Sequence, residues 1–238
     1  MRVGHRPAEN TLSVTVSESL LPVLPEVLAR IKNLFDLYCE PKAVYETLQV
    51  MNTLQPGLCV LGTRLPGCFN VFEMSVRAVL GQQITVKAAS TLAARLVAVY
   101  GTQVQTGIEG LTHSFPAPAA ILALGENISE HLGKLGIISA RANTIYQLAR
   151  VLADEKNDFG FCGNPEEEMQ KLQAIRGIGS WTAQYIAMRA MVWPDAFLPT
   201  DAGIKKALPD HTPKELQVLS EAWRPWRSYA TVNLWNTL

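Results

Sequence analysis

Along most of this 238-residue chain the apolar side chains recur at helical spacing. After Pro22, residues Val23, Val27, Ile31, Leu34 and Phe35 fall on one face, and a second short helix is predicted over residues 43–51. The longest helical region covers residues 70–101. Its first half carries Val71, Phe72, Val76, Val79 and Leu80, its second half Ala88, Leu92, Ala93, Leu96 and Val97, and the break Gly81-Gln82-Gln83-Ile84 separates them. Further on, Trp181, Tyr185, Met188 and Val192 stand four, three and four apart on one helical face. Pro225 suits a helix start, after which Tyr229 and Val232 should pack inward. Residues 52–66, with Pro56, Gly57, Gly62 and Pro66, read as a loop or crossing. Only the beginning differs: residues 1–9 read as a flexible lead-in, and residues 11–17 alternate as one β-strand would. The pattern predicts an all-α fold with one short N-terminal strand.

Composition narrows the field little. Apolar content of 48% and 18% charged residues describe an ordinary globular protein. The 21 basic and 21 acidic side chains cancel, so no long-range basic field advertises a nucleic-acid partner, although backbone amides and a few local cations suffice to hold phosphates. Cys39, Cys59, Cys68 and Cys162 are too far apart for a CxxC pair or for the grouped ligands of an iron–sulfur cluster. No secretory signal or membrane-spanning run is visible, so a reducing cytoplasm is the expected compartment. The four histidines are scattered and form no metal-ligand spacing with the cysteines or acids.

Candidate chemistry is concentrated in residues 172–201, LQAIRGIGSWTAQYIAMRAMVWPDAFLPTD. Upstream, Asn164-Pro165-Glu166-Glu167 supplies a cap, a proline and an early acid for a helix over residues 166–174. Gly177-Ile178-Gly179 then permits positive φ and close backbone approach, and Ser180 is the expected N-cap of a following helix. The product is helix, five-residue turn, helix, with the free N–H groups of the second helix's first turn forming an anion site suited to phosphate. Leu198-Pro199-Thr200-Asp201 next brings a carboxylate to the mouth of a helix over residues 202–208. On its own such an aspartate is a helix cap, a task Thr200 also fits. Asp195, at a Pro-Asp turn, is expected to be exposed. Residues 136–142 echo residues 177–183 in the pattern GIxSxxA, with Ile138 replacing the second glycine, and read as a structural copy.

This ordered set extends to Leu65-Pro66-Gly67, Phe72-Glu73, residues 76–83, Phe197-Leu198-Pro199 and residues 223–229. Together they resemble the helix-hairpin-helix DNA glycosylases with a Gly/Pro-rich loop and catalytic aspartate, and within them the AlkA-type 3-methyladenine DNA glycosylase II, from about Leu20 onward. The resemblance implies two helical lobes, one of residues 67–193 and one of residues 20–66 joined with 194–238. Double-stranded DNA containing damaged bases would lie across their cleft, and residues 1–19 would be the remnant of a missing β-rich domain.

It further implies a monofunctional enzyme of base excision repair that flips an N-methylated purine out of the duplex, hydrolyses the N-glycosidic bond and leaves an abasic site. Asp201 would stabilise the oxocarbenium-like state or activate water. Trp181 stands where strand-cutting members carry a Schiff-base lysine. Trp235 would be the stacking wall of the base pocket, with Tyr185 and Trp181 as further walls, since electron-rich rings attract a cationic purine. Gln83 would be the wedge that fills the vacated place in the duplex, a position held by leucine in the family's best-known member. Gly177, Gly179 and Ser180 would contact DNA, and the backbone carbonyls of Gln173, Ile175 and Ile178 would hold a structural monovalent cation. No cofactor is required, and a monomer is expected. The alternatives are an oxidised-purine glycosylase/lyase of the same fold, a non-catalytic hairpin DNA-binding module, and a helical protein unrelated to DNA.

Overall fold

A computed structural model describes residues 1–153 and 164–238. The chain opens with β1 (Arg2–Arg6) and β2 (Thr11–Thr15), paired antiparallel from Arg2 opposite Thr15 to Arg6 opposite Thr11. A 3-10 turn over Pro7–Glu9 joins them, and Asn10 takes the left-handed conformation that asparagine tolerates, at φ 50°. The flexible lead-in and single strand expected from the sequence are therefore corrected to a hairpin. The pattern of β1 is weak because Gly4 interrupts its alternation, and its pairing is fixed instead by backbone bonds and by the Ser13 hydroxyl, which donates to the Gly4 carbonyl at 3.3 Å.

The rest is helical. In order come α1 (Leu24–Leu34), α2 (Pro41–Leu48), α3 (Val71–Leu80), α4 (Val86–Tyr100), α5 (Pro118–Leu122), α6 (Ile128–Gly133) and α7 (Ser139–Leu152). Then follow α8 (Pro165–Gln173), α9 (Ser180–Arg189), α10 (Ala202–Ala207), α11 (Pro213–Leu219) and α12 (Arg227–Trp235). Side-chain caps set several starts: Asn70 accepts from Glu73 N, Thr85 from Ala88 N, and Thr212 with Glu215 completes a capping box. Helix α3 packs on α4, α7 and α9; α5 and α6 lean on α7; α8 lies against α9 and α10 against α12. One apolar core runs through them, from Leu48 and Leu65 through Val76, Leu96, Ile145 and Ile186 to Leu198, Trp223 and Leu234. Val192, expected on the face of α9, lies past its end at φ 52°. Among the described residues no helix is long and apolar enough to cross a membrane. Cys39, Cys59 and Cys68 are free thiols, and Cys162 lies outside the described residues.

Polar clasps tie the early chain to α12, whose residues from Arg227 to Leu234 are all buried. The Tyr229 hydroxyl donates to Asp36 Oδ1 at 3.1 Å, and the Leu65 amide donates to Asp36 Oδ2 at 2.8 Å. Nearby, the Val60 amide and the Thr63 hydroxyl both donate to Asn233 Oδ1, at 3.1 and 2.9 Å. Burial pushes the Asp36 carboxyl above the usual carboxylate range, against the lowering effect of its Leu65, Tyr229 and Arg64 neighbours.

Asp195 departs from the exposed position expected for it. It is 7% exposed and gripped by Arg227, whose Nε meets Oδ1 at 2.7 Å and whose Nη2 meets Oδ2 at 2.9 Å. Arg224 Nη1 adds a contact to Oδ2 at 2.5 Å. The Pro-Asp turn is folded under these arginines from 29 and 32 residues away, which local sequence does not reveal.

Candidate active site

The hairpin forms as the capping signals predict at its entrance. Asn164 accepts from Glu166 N at 3.0 Å, and α8 runs to Gln173. In the turn, Gly177 has φ 96°, and a Cβ there would stand 2.1 Å from Thr144 Oγ1, so only glycine fits. Thr144, on α7, donates to the Arg176 carbonyl at 2.9 Å and so backs the turn from behind. Gly179 serves differently. Its φ of −89° suits any residue, and its Cβ direction points into open space. It is also the N-cap of α9, in place of the expected Ser180, because its carbonyl accepts from Ala183 N at 3.0 Å while Ser180 begins the helix, exposed. No side chain caps α9, which leaves its first-turn amides available to an anion.

From that helix Trp181 and Tyr185 reach the carboxylate's side of the fold. Their rings stack at 5.2 Å between centroids and 10° between planes, and Tyr185 meets Trp235 at 6.3 Å and 48°. Gln184, on the same helix, accepts from Phe197 N at 3.2 Å and so moors the Phe197-Leu198-Pro199 approach to α9. Asp201 then caps α10: its Oδ1 accepts from Gly203 N at 2.8 Å and Ile204 N at 3.1 Å. Two indoles add to this. Trp235 Nε1 donates to Oδ1 at 2.8 Å and Trp181 Nε1 donates to Oδ2 at 3.0 Å. The side chain that caps the helix is thus also the acceptor of both indoles; it is 9% exposed, and Oδ2 keeps a lone pair beyond the one the Trp181 indole occupies.

The structure therefore brings Trp181, Tyr185, Asp201 and Trp235 together. Gln83 is exposed at a separate place, in the loop between α3 and α4, with φ 53°. Of the carbonyls expected around a cation, that of Gln173 ends α8 and those of Ile175 and Ile178 lie in the hairpin turn. Ile175 O accepts one backbone N–H, from Ile178 at 3.0 Å, and has a second lone pair, whereas the carbonyls of Arg176 and Gly177, which are not among those expected, accept from the side chains of Thr144 and Gln82. Neutral oxygens of this kind fit a hard monovalent cation and not a thiophilic metal. Among the described residues no group of three His, Cys, Asp or Glu side chains is placed to hold a metal ion.

Two contributors carry little or no sequence signal of their own. Gln82, next to the expected wedge, donates from Nε2 to the Gly177 carbonyl and to Thr182 Oγ1, both at 2.9 Å. Gly203, in the first turn of α10, leaves the space that Trp235 fills: a Cβ there would lie 2.7 Å from Trp235 Cδ1 and 2.9 Å from its Nε1. The presence of glycine inside a short helix is the one hint the sequence holds for the latter.

Comparison with known proteins places this geometry. A profile of the AlkA N-terminal domain matches residues 1–70, and that of the HhH-GPD superfamily base excision DNA repair proteins matches residues 76–227. The chain is 38% identical over 230 residues to the DNA-3-methyladenine glycosylase 2 of Escherichia coli (strain K12), covering 97% of this chain and 78% of that one. A 3-methyladenine DNA-glycosylase from Archaeoglobus fulgidus shares the fold with a TM-score of 0.75 at 21% identity, over 94% of this chain and 77% of that one. So does a Clostridium acetobutylicum 8-oxoguanine glycosylase/lyase in complex with double-stranded DNA, with a TM-score of 0.75 at 18% identity over 99% and 80% of the two chains. With its hairpin, its aspartate at a helix mouth and a profile match that spans both, the chain belongs to the HhH-GPD superfamily of base excision DNA repair proteins.

Proposed function

We propose that this chain is a monofunctional DNA glycosylase that removes N-alkylated purines from double-stranded DNA and leaves an abasic site. The observation that carries the reading is the Asp201 carboxylate, held by two indole N–H groups at the edge of the Trp181, Tyr185 and Trp235 rings. An N-alkylated purine is cationic, so the faces of these rings attract it more than a neutral base. It also departs as a neutral base when the C1′–N bond breaks and takes the bond's electron pair, so departure asks for no acid. What the reaction requires is a negative charge near the sugar as C1′ becomes oxocarbenium-like, and then a water oxygen bonding to C1′ with its proton passing to the carboxylate or to solvent. Asp201 supplies that charge.

The same reading gives the remaining residues their tasks. DNA lies across the cleft between lobes 67–193 and 20–66 with 194–238. The first-turn amides of α9, opened by Gly177 and Gly179 and continued at Ser180, hold a backbone phosphate. Carbonyls of Gln173, Ile175 and Ile178 would hold a monovalent cation, which when bound offsets phosphate charge. Gln83 enters the duplex where the damaged nucleotide has left it. Trp181 occupies the place of a Schiff-base lysine and has no amine to attack the sugar, which separates this reading from a glycosylase/lyase.

The test is release of base from duplexes carrying one defined N-alkylated purine. Asp201→Asn keeps the cap acceptor and removes the charge; it should slow release by about 10²–10⁴-fold while affinity for abasic-site duplex persists. Retained release by Asp201→Asn would refute the assignment. Borohydride should trap no covalent adduct, and a trapped adduct would refute the monofunctional reading.

A further inference from the structure

Gln82 and Gln83 are neighbours of the same chemistry that face different ways. Gln83 is exposed and held at φ 53°, in the left-handed region that side-chain-bearing residues rarely adopt. Such a conformation persists only where its surroundings determine it. Gln82 supplies the surroundings. Both N–H groups of its amide are spent on the hairpin, one on the Gly177 carbonyl and one on the hydroxyl of the buried Thr182, each at 2.9 Å. The Gly177 carbonyl accepts only, so the amide nitrogen must face it. The backbone carbonyl of Gln82 is fixed as well, by Arg141 Nη2 from α7 at 2.5 Å. Three partners, the hairpin turn, the first turn of α9 and the first turn of α7, therefore converge on the residue before Gln83.

We infer that Gln82 is a positioning residue that locks the Gln83 loop to the phosphate-holding hairpin, so that gripping the backbone and filling the vacated place in the duplex occur in one fixed register. This rests on the glycosylase reading above and gives it a mechanical link. The link is specific in chemistry: a donor is needed at Nε2, because both partners there accept. Shape alone does not supply it.

The experiment compares single-turnover release of an N-alkylated purine from two duplexes, one with the lesion opposite its normal partner and one with it opposite an abasic site, where extrusion costs less. Gln82→Glu preserves shape and removes the donor. It should slow release from the paired lesion about tenfold, the worth of a net hydrogen bond, and from the unpaired lesion by no more than about threefold. A 2-aminopurine placed beside the paired lesion should brighten less with the variant than with the wild type. Gln82→Met, of similar length and uncharged, gives the same pattern if the carboxylate unsettles the hairpin. Equal losses on the two duplexes in a folded variant, or none, would overturn the assignment of Gln82 alone. Wild-type protein that releases no base from either duplex would overturn the glycosylase reading and this one with it.

Discussion

Replacing Gly203 by alanine puts a methyl carbon 2.7 Å from Cδ1 and 2.9 Å from Nε1 of Trp235, and 3.0 Å from Asp201 Oδ1. Carbon atoms in contact prefer about 3.5–4.0 Å, so the indole must retreat by roughly 1 Å. The bond from Trp235 Nε1 to Oδ1, now 2.8 Å, then stretches beyond useful geometry. A hydrogen bond to a charged acceptor contributes about 1.5–3 kcal/mol, which corresponds to a roughly 10- to 150-fold loss of kcat/KM if all of it serves the transition state. Stability feels two opposed effects: alanine in a helix gains about 0.5–1 kcal/mol over glycine, while displacing the indole costs about 1–3 kcal/mol. Gly203→Ala should therefore unfold at a modestly lower urea midpoint, remain folded without denaturant, and release N-alkylated purines slowly. The double-mutant cycle sharpens this: in a Trp235→Phe background, which has no indole N–H to displace, Gly203→Ala should cost about twofold or less. Full activity in the single variant, or the same loss in both backgrounds, would refute the claim that the seat of Trp235 on Asp201 matters.

Three further outcomes follow from the geometry. Gly177→Ala, which combines φ 96° with a clash against Thr144, should lower the unfolding free energy by at least about 1–3 kcal/mol, whereas Gly179→Ala, with open space ahead of its Cβ, should keep the midpoint and weaken only duplex affinity in a titration. Arg227→Met leaves the buried Asp195 with Arg224 alone and should cost about 3–5 kcal/mol in urea unfolding; a cost under about 1 kcal/mol would show the pair to be solvated. The raised carboxyl of Asp36 favours the protonated native state, so its stabilising contribution is complete below the unfolded value of about 3.9 and disappears as pH rises through the folded value. Asp36→Asn should consequently gain stability relative to wild type as pH rises above about 4, and a pH-independent difference would refute this.

The parts of the molecule that the sequence disclosed are those whose causes are local. Asn164 and Pro165 start α8 by filling its cap and first-turn positions, and the glycine at 177 is demanded by its own φ and by Thr144 close behind it. Asp201 is legible as a cap for a related reason: a carboxylate before a short helix is a cap wherever it stands, and only the tryptophans 20 residues before and 34 after it make the cap a candidate site. What stayed hidden depends on partners distant in sequence. Asp195 reads as an exposed turn because nothing beside it indicates arginines 29 and 32 residues later. Gln82 passes for half of an exposed dipeptide until the hairpin, 95 residues on, folds against it. Ser180 has the composition of an N-cap, yet the backbone assigns that place to Gly179, whose extended conformation and carbonyl already meet the need. The N-terminal hairpin is hidden in the sequence because a glycine breaks the alternation of β1, while pairing depends on backbone groups that pattern does not register.

The clasp between Asp36 and Tyr229 spans 193 residues, and this has a temporal side. At a synthesis rate of about 5–20 residues per second, the carboxylate at 36 waits roughly 10–40 s for its hydroxyl. Helix α12 brings more than that hydroxyl. It also carries Asn233, which receives the loop at Val60 and Thr63, and Trp235, the indole on Asp201 Oδ1. A nascent chain that ends at residue 226 consequently contains the residues of the hairpin, Gln82 and Asp201, but neither the partners that close its early loops nor the third ring beside Asp201. In this topology the group of residues around Asp201 is incomplete until α12 has been synthesised.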